Sequence, residues 1–265
     1  NESSSNSQTV TLKGVKEGET STITVKSKST GKTASCKITV VKKQTQPTSG
    51  SGTSKSAGAG VGTISADGKT LTDTSGKKWK VASQVTNADL KTNLAVADKS
   101  SGGKYKVTKV VKKGGKVTGG NVTYMAPYNK NTTKMTAPNN VKIGGVKFAV
   151  TAIGNNAFKN CKKLKTATIG TNVTSIGSNA YAGCTALTSV NIKSTKLTQI
   201  GANAFKGDKK LAKVTIKSAK IKKIGSGALK STGTKIVVKV PKAKIAAYTK
   251  LLKKAGMSKT GKVTK

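Results

Sequence analysis

Arginine and histidine are absent from this 265-residue chain, so all 50 of its basic residues are lysine. Without histidine, general acid–base work near neutral pH falls to tuned carboxylates. The chain has eight acids, and they are scattered; Glu17 and Glu19 share a strand-like stretch with no partner in view. No GxSxG elbow, P-loop or GxGxxG fingerprint occurs. The many serines and threonines have no base beside them, and a lysine–asparagine cross-link would need a buried acid that nothing indicates. These gaps argue against an enzyme. Arginine is also the residue suited to bidentate readout of guanine or phosphate. Aromatics make up only 3% of the chain, which leaves little for stacking on bases. Sequence-specific nucleic-acid binding is therefore not expected. The three cysteines, Cys36, Cys161 and Cys184, form no CxxC or Cys/His cluster, so neither a metal site nor a cofactor is expected. No run of 18 apolar residues occurs, so no membrane-spanning helix is expected.

What is present is charge and repetition. The formal net charge is +42. Residues 101–265 hold 35 lysines and a single acid, Asp208, whereas residues 1–100 hold 15 lysines and seven acids. Such a field attracts teichoic acids, acidic polysaccharides, anionic lipid surfaces or nucleic acid without choosing among them. The other reading is compositional bias that serves solubility.

From about Val150 to Val240 the chain repeats itself. The dipeptide Ile-Gly opens four lines at Ile153, Ile176, Ile200 and Ile224, spaced 23, 24 and 24 residues apart. A fixed period in this range marks a solenoid of stacked coils. Ala157, Ala180, Ala204 and Ala228 are equivalent, as are Phe158, Tyr181, Phe205 and Leu229. Leu164, Leu187 and Leu211 recur, then Ala167, Val190 and Val214, then Ile169, Ile192 and Ile216, and each Ile-Gly follows Val150, Val173, Leu197 or Ile221 by three residues. Stacked, these positions form one apolar ladder that no single coil could bury. Val and Ile two apart give the period of a strand. The segment Asn-Ala-Phe-Lys-Asn-Cys reads as a tight turn or short helix. Each coil is then a strand, a turn, a short extended piece and a turn. Gly154, Gly177, Gly201 and Gly225 are expected to supply turn dihedrals where each coil bends.

The lines resemble BspA-type leucine-rich repeats of bacterial surface proteins, whose pattern is I-G-x-x-A-F-x-x-C-x-x-L-x-x-V-x-I. Three full copies match. The fourth departs, with Thr232 at the cysteine position and Lys235 at the leucine position, as a terminal repeat does. Cys161 and Cys184 are equivalent on adjacent coils. At strand spacing their Cα atoms lie roughly 5 Å apart, which admits a disulfide or two buried thiols.

The resemblance implies a mainly β leucine-rich-repeat solenoid, secreted or displayed on the bacterial cell surface, whose ligand face is the strand face. The residues alternating there with buried ones are Thr166, Thr168, Ser189, Asn191, Lys193, Lys213, Thr215, Lys217 and Lys239. These hydroxyls and lysines are also what a merely solvated β face carries. The implied function is a non-enzymatic adhesion or binding module of a Gram-positive-type bacterium, with a host extracellular protein or glycan as partner. The alternative is a structural wall protein held to teichoic acid or another anionic cell-wall polymer by its charge. Oligomeric state stays open.

The rest of the chain frames the repeats. Residues 1–42 alternate like paired strands, with Ile23 and Val25 on one, Ile38 and Val40 on the other, and a Ser-Thr-Gly-Lys turn between them. The stretch from Gly14-Val15-Lys16 to Ile23-Thr24-Val25 resembles the closing strands of an invasin/intimin-type (group 2) bacterial Ig-like domain, of which only part is present. Residues 43–60 are a Gly/Ser/Thr-rich linker. Residues 61–148 read as a β-rich N-terminal cap of the solenoid, or as a separate small β domain. Asp67-Gly68 marks a hairpin turn, residues 87–97 a short helix capped at Thr86 or Asn87. Trp79, Tyr105 and Phe148 each precede a valine by two residues. Thr133–Val141 resembles Ala167–Val173. After the repeats of 149–240, residues 241–265 form a C-terminal capping helix and tail, with Ile245, Tyr248, Leu252 and Ala255 on one face and Gly256 as its stop. A basic amphipathic helix can lie on a membrane, but closing the ladder is the role its position favours. The chain opens on Asn1 with no apolar leader, which suggests a mature protein or a fragment, and no LPxTG wall-anchoring signal follows.

Overall fold

In the computed structural model of the protein, the described residues are 20–26, 33–39 and 55–265. The chain divides into two units, residues 1–51 and residues 52–265. In the first, β1 (Thr20–Lys26) pairs antiparallel with β2 (Thr33–Thr39), placing Ile23 opposite Cys36 and Ile38 opposite Ser21. This is the strand pair expected from the alternation. The intervening turn, Val40 and the linker up to residue 54 lie outside the described residues, and a two-stranded ribbon does not establish an Ig-like domain.

The second unit is a solenoid built on two sheets. Its opening strands are β3 (Lys55–Ser56), β4 (Thr63–Ile64), β5 (Thr70–Thr72), β6 (Lys78–Val81) and β7 (Ala95–Asp98). They join β8 (Gly103–Lys113) and β9 (Lys116–Pro127), a long antiparallel hairpin turned at Gly114-Gly115. From there the chain coils through β10 (Lys134–Ala137), β11 (Asn140–Ile143), β12 (Val146–Ile153), β13 (Thr166–Ile169), β14 (Ser175–Ile176), β15 (Ser189–Ile192), β16 (Gln199–Ile200), β17 (Lys213–Ile216), β18 (Lys223–Ile224) and β19 (Val237–Lys239). Helix α1 (Ile245–Lys254) and β20 (Lys262–Thr264) close it. One sheet is six parallel strands in the order β10-β13-β15-β17-β19-β20. The other runs β18-β16-β14-β12-β9 in parallel and continues through β8 to β3, with β11 beside β12. The ladder therefore begins at β10, one strand before the first Ile-Gly coil's own β13.

Residues 87–97 are not a helix. Only Asn87–Asp89 make a 3-10 turn, behind Thr86 and Asp89 in a reciprocal capping box. Asn93 then takes φ +70°, which ends any helix, and Ala95–Asp98 is drawn into the sheet between β6 and β8. Leu90 and Leu94, four residues apart, are both buried in the main core.

The core is the expected ladder. All the recurring apolar positions are buried, Ile153, Ile176, Ile200 and Ile224 in direct register. Behind them stands a column of rings, Tyr105, Tyr124, Phe158, Tyr181 and Phe205, with neighbouring centroids 5.0–5.3 Å apart. Phe158, Tyr181 and Phe205 lie nearly parallel, at 4° and 8°. Leu229 ends the column.

The Ile-Gly glycines have a different task from the one their sequence context suggests. None has a positive φ. A Cβ on Gly177, Gly201 or Gly225 would sit 2.4–2.5 Å from a backbone nitrogen of the preceding coil. Glycine is required there because the coils approach too closely for any side chain. The left-handed conformations belong to Asn156, Asn179 and Asn203, at φ +53° to +57°, and then to Gly227. A second left-handed column runs Asn160, Gly183, Gly207 and Ser231. Asparagine tolerates this region better than other non-glycine residues, so each coil turns twice on a stacked left-handed residue. Between these columns the expected tight turn is itself a hydrogen-bonded ladder. Phe158 N–H donates to Ala180 O, Tyr181 N–H to Ala204 O and Phe205 N–H to Ala228 O, at 2.6–2.9 Å.

The last coil is closed on two sides. The Leu229 N–H donates to Ala255 O at the end of α1, and β20 adds the sixth strand. Tyr248 and Leu252 of α1 are buried, and the Tyr248 hydroxyl accepts from Ile221 N–H and donates to Ser218 O. Gly256 follows at φ +89°, the stop expected of it.

Candidate functional site

The exposed side of the six-stranded sheet presents two rows fixed by register. One runs Lys134, Thr166, Ser189, Lys213, Val237 and Lys262. The other runs Thr136, Thr168, Asn191, Thr215, Lys239 and Thr264. Adjacent strands lie about 4.8 Å apart, so six strands span roughly 24 Å of rigid surface. The sequence-derived residues Thr166, Thr168, Ser189, Asn191, Lys213, Thr215 and Lys239 all fall in these rows. Lys193 and Lys217 do not. They follow β15 and β17 directly, with their N–H groups on Ile169 O and Ile192 O, and stand exposed at the rim.

The repeat pattern alone misses Lys134, Thr136, Val237, Lys262 and Thr264. The likeness of Thr133–Val141 to a later coil is the signal for the first two. Nothing in the tail sequence marks β20 as a parallel strand.

Apart from Thr264, whose hydroxyl donates to Lys265 O, the row hydroxyls and amide are uncommitted. Among the described residues the side chains of Thr166, Thr168, Ser189, Asn191 and Thr215 make no hydrogen bond, whereas Thr174, Thr188 and Thr198 at the coil edges each donate to a carbonyl of the preceding coil. Threonines of one sequence pattern thus divide into structural and free sets. Ser194 and Ser218 are structural too. Each is buried, donates to two carbonyls of the preceding coil and accepts one N–H of its own.

Several ionisable groups are buried or nearly so. Cys161 and Cys184 are free buried thiols rather than a disulfide. Burial pushes the Cys161 thiol up to about 11, and Cys184 rises further still, again through burial and with the Asp208 charge beside it. The Cys184 thiol donates to Phe158 O at 3.0 Å. The same column continues with Asp208 and Thr232. Asp208 is fully buried; its Oδ1 accepts the Cys184 N–H at 2.8 Å, while Oδ2 has no partner. Burial raises its carboxyl to about 8, against the hydrogen bonds that lower it. Asp73 is the opposite case. Its Oδ1 takes the backbone N–H groups of Ser75 and Lys77 and the Ser75 hydroxyl, and its Oδ2 takes the Trp79 indole and buried Lys104. These bonds and the Lys104 charge outweigh the desolvation and hold it well below the usual carboxylate range. Among the described residues no three His, Cys, Asp or Glu side chains come together as a metal site. No helix among them is long and apolar enough to cross a membrane.

Residues 123–249 match the family of BspA type leucine rich repeat regions in six copies. This segment carries BspA-type repeats. The six copies extend the four read from Ile-Gly, consistent with a parallel sheet that starts at β10. Among solved structures, the chain is similar to a leucine-rich repeat protein from Bacteroides capillosus, at 23% identity over 53% of this chain and 95% of that one, with a TM-score of 0.43. It is also similar to a leucine rich cell surface protein from Faecalibacterium prausnitzii, at 25% identity, 57% and 38% coverage and a TM-score of 0.44. A leucine-rich repeat protein of T. pallidum aligns at 21% identity over 50% of this chain and 68% of that one, with a TM-score of 0.35. The chain thus spans well under half of the Faecalibacterium protein. No curated protein matches it.

Proposed function

We propose that the protein is a non-enzymatic binding module displayed outside a Gram-positive-type bacterium, and that the six-stranded face engages a host matrix or cell-surface protein or glycan. The observation that carries this reading is the pair of side-chain rows. Apart from that of Thr264, their hydroxyls and amide are held in fixed register on a rigid sheet and left without internal partners. Such groups are preorganised for hydrogen bonds to a ligand and lose little entropy on binding. The BspA-type repeats supply the surface-display part of the reading.

A second reading is favoured by one specific observation, the 35 lysines set against a single acid in residues 101–265. On this reading charge alone retains the protein on a wall polyanion such as teichoic acid. Salt separates the two. Binding to isolated Gram-positive cell wall, heparin and immobilised host matrix proteins would be titrated against ionic strength. Retention by counterion release collapses as salt rises, and a shape-complementary contact largely persists. Retention on one host protein at about 0.5 M salt supports the face. Loss from every surface by moderate salt supports the polyanion reading.

A further inference from the structure

The chain has one Trp, five Tyr and three Phe, and every one except Tyr128 is buried. Tyr128 is half-exposed and lines a cavity of about 780 Å³ that is built from three turns and shares no lining residue with the strand-face rows. The turn after β6 supplies Ser83 and Val85, the turn from β7 to β8 supplies Asp98 and Lys99, and the turn between β11 and β12 follows Lys142. Each is anchored by a strand of the same sheet.

Asp98 is the informative residue. It is 8% exposed, and its Oδ1 accepts the Ser100 N–H and hydroxyl. Its Oδ2 has no hydrogen bond and no cation within ion-pair distance among the described residues, in a chain with 50 lysines. Asp208 Oδ2 is the one fully buried side-chain oxygen without a partner among the described residues, so Asp98 Oδ2 keeps a face open to the cavity it lines and is free to accept a hydrogen bond there. The burial of Tyr128 and the Asp98 charge both raise the Tyr128 phenol, which keeps it a neutral donor beside that carboxylate.

We infer that this cavity binds an uncharged hexopyranose unit of a glycan. The size falls in the range of small-ligand sites, which join apolar walls to a few converging polar groups. The Tyr128 ring offers an apolar face with a polar tip for the C–H face of a sugar. Asp98 Oδ2 accepts from ring hydroxyls, and Ser83, Lys99 and Lys142 donate to them. The Asp98 carboxylate disfavours an anionic ligand and the Lys99 and Lys142 ammonium groups disfavour a cationic one, which leaves a neutral polyol. The site is separate from the strand face, so its failure would leave the reading of that face intact.

The test uses the full chain at about 0.5 M salt, where non-specific charge binding is screened. Methyl glycosides of glucose, galactose, mannose and N-acetylglucosamine are titrated by NMR, with the Tyr128 ring signals as reporter. Saturable shifts at Tyr128 with one of these sugars are expected. Affinity should fall about tenfold or more in Tyr128→Ala and Asp98→Asn, and stay within about threefold in Tyr128→Phe. Asp98→Asn keeps the Oδ1 acceptor, so it tests the site even if Tyr128→Ala destabilises the fold. No saturable shift up to about 50 mM of any probe, or binding indifferent to Asp98→Asn, overturns the inference.

Discussion

Asp208 makes the stability of the solenoid fall as pH rises, the reverse of an ordinary ion-paired carboxylate. Its carboxyl is raised from 3.8 to about 8 in the folded chain. Between those values the folded protein keeps a proton that the unfolded chain has released. Stability from this group is therefore complete below about pH 4 and is lost as pH climbs towards 8. Each pH unit in the window costs about 1.4 kcal/mol, so pH 5 to 7 costs on the order of 3 kcal/mol. For a unit of this size that is a fall of about 5–10 °C in Tm. The window is unusually clean, because the chain has no histidine and Asp73 and Asp89 are held below the usual range by their hydrogen bonds. Asp208→Asn preserves an acceptor for the Cys184 N–H and cannot ionise. Thermal unfolding by circular dichroism at pH 5, 6, 7 and 8 should show the parent losing stability while the variant stays flat. Parallel profiles for the two proteins would refute the reasoning.

Two further substitutions test the packing of the coils. Gly201→Ala places a Cβ 2.4 Å from Ser178 N, so the coils must separate; urea unfolding should show a loss of about 3 kcal/mol or more, above that of ordinary overpacking. Ser218→Ala strips the buried Leu197 carbonyl and the Lys220 N–H of a partner; it should cost about 1–3 kcal/mol in the same assay, and recover partly in Ser218→Thr.

The apolar ladder was legible because equivalent residues recur at one period, and period is what stacked coils impose on sequence. The closing helix was legible for a similar reason, since Tyr248, Leu252 and Ala255 share one face and Gly256 ends it. The twist of each turn was not. Glycine draws attention as the flexible residue, yet Asn156, Asn179 and Asn203 take the left-handed conformation, while Gly177, Gly201 and Gly225 answer a close approach between coils. That approach is a tertiary fact, and no single line of the repeat reveals it. Residues 87–97 failed for the same kind of reason: Leu90 and Leu94 carry helical spacing, but pairing with β6 and β8 decides the strand. Of the candidate face, the four-residue strands were readable from alternation. Its outer strand β10 was signalled only by the likeness of Thr133–Val141 to a later coil, and β20 was not legible, because it diverges from the repeat and is recruited by the neighbour it pairs with.

The central claim is that the strand face, and not net charge, holds the ligand. The direct measurement compares two variants of equal charge loss at moderate salt. One changes Lys193, Lys213, Lys217 and Lys239 to Gln on and beside the face; the other changes Lys162, Lys163, Lys209 and Lys210, all exposed in the turns before β13 and β17, to Gln. Binding to the host surface that retains the parent is then quantified for each. The account predicts that the face variant loses retention and the turn variant keeps it. Equal losses in both would contradict the account and leave charge alone as the explanation.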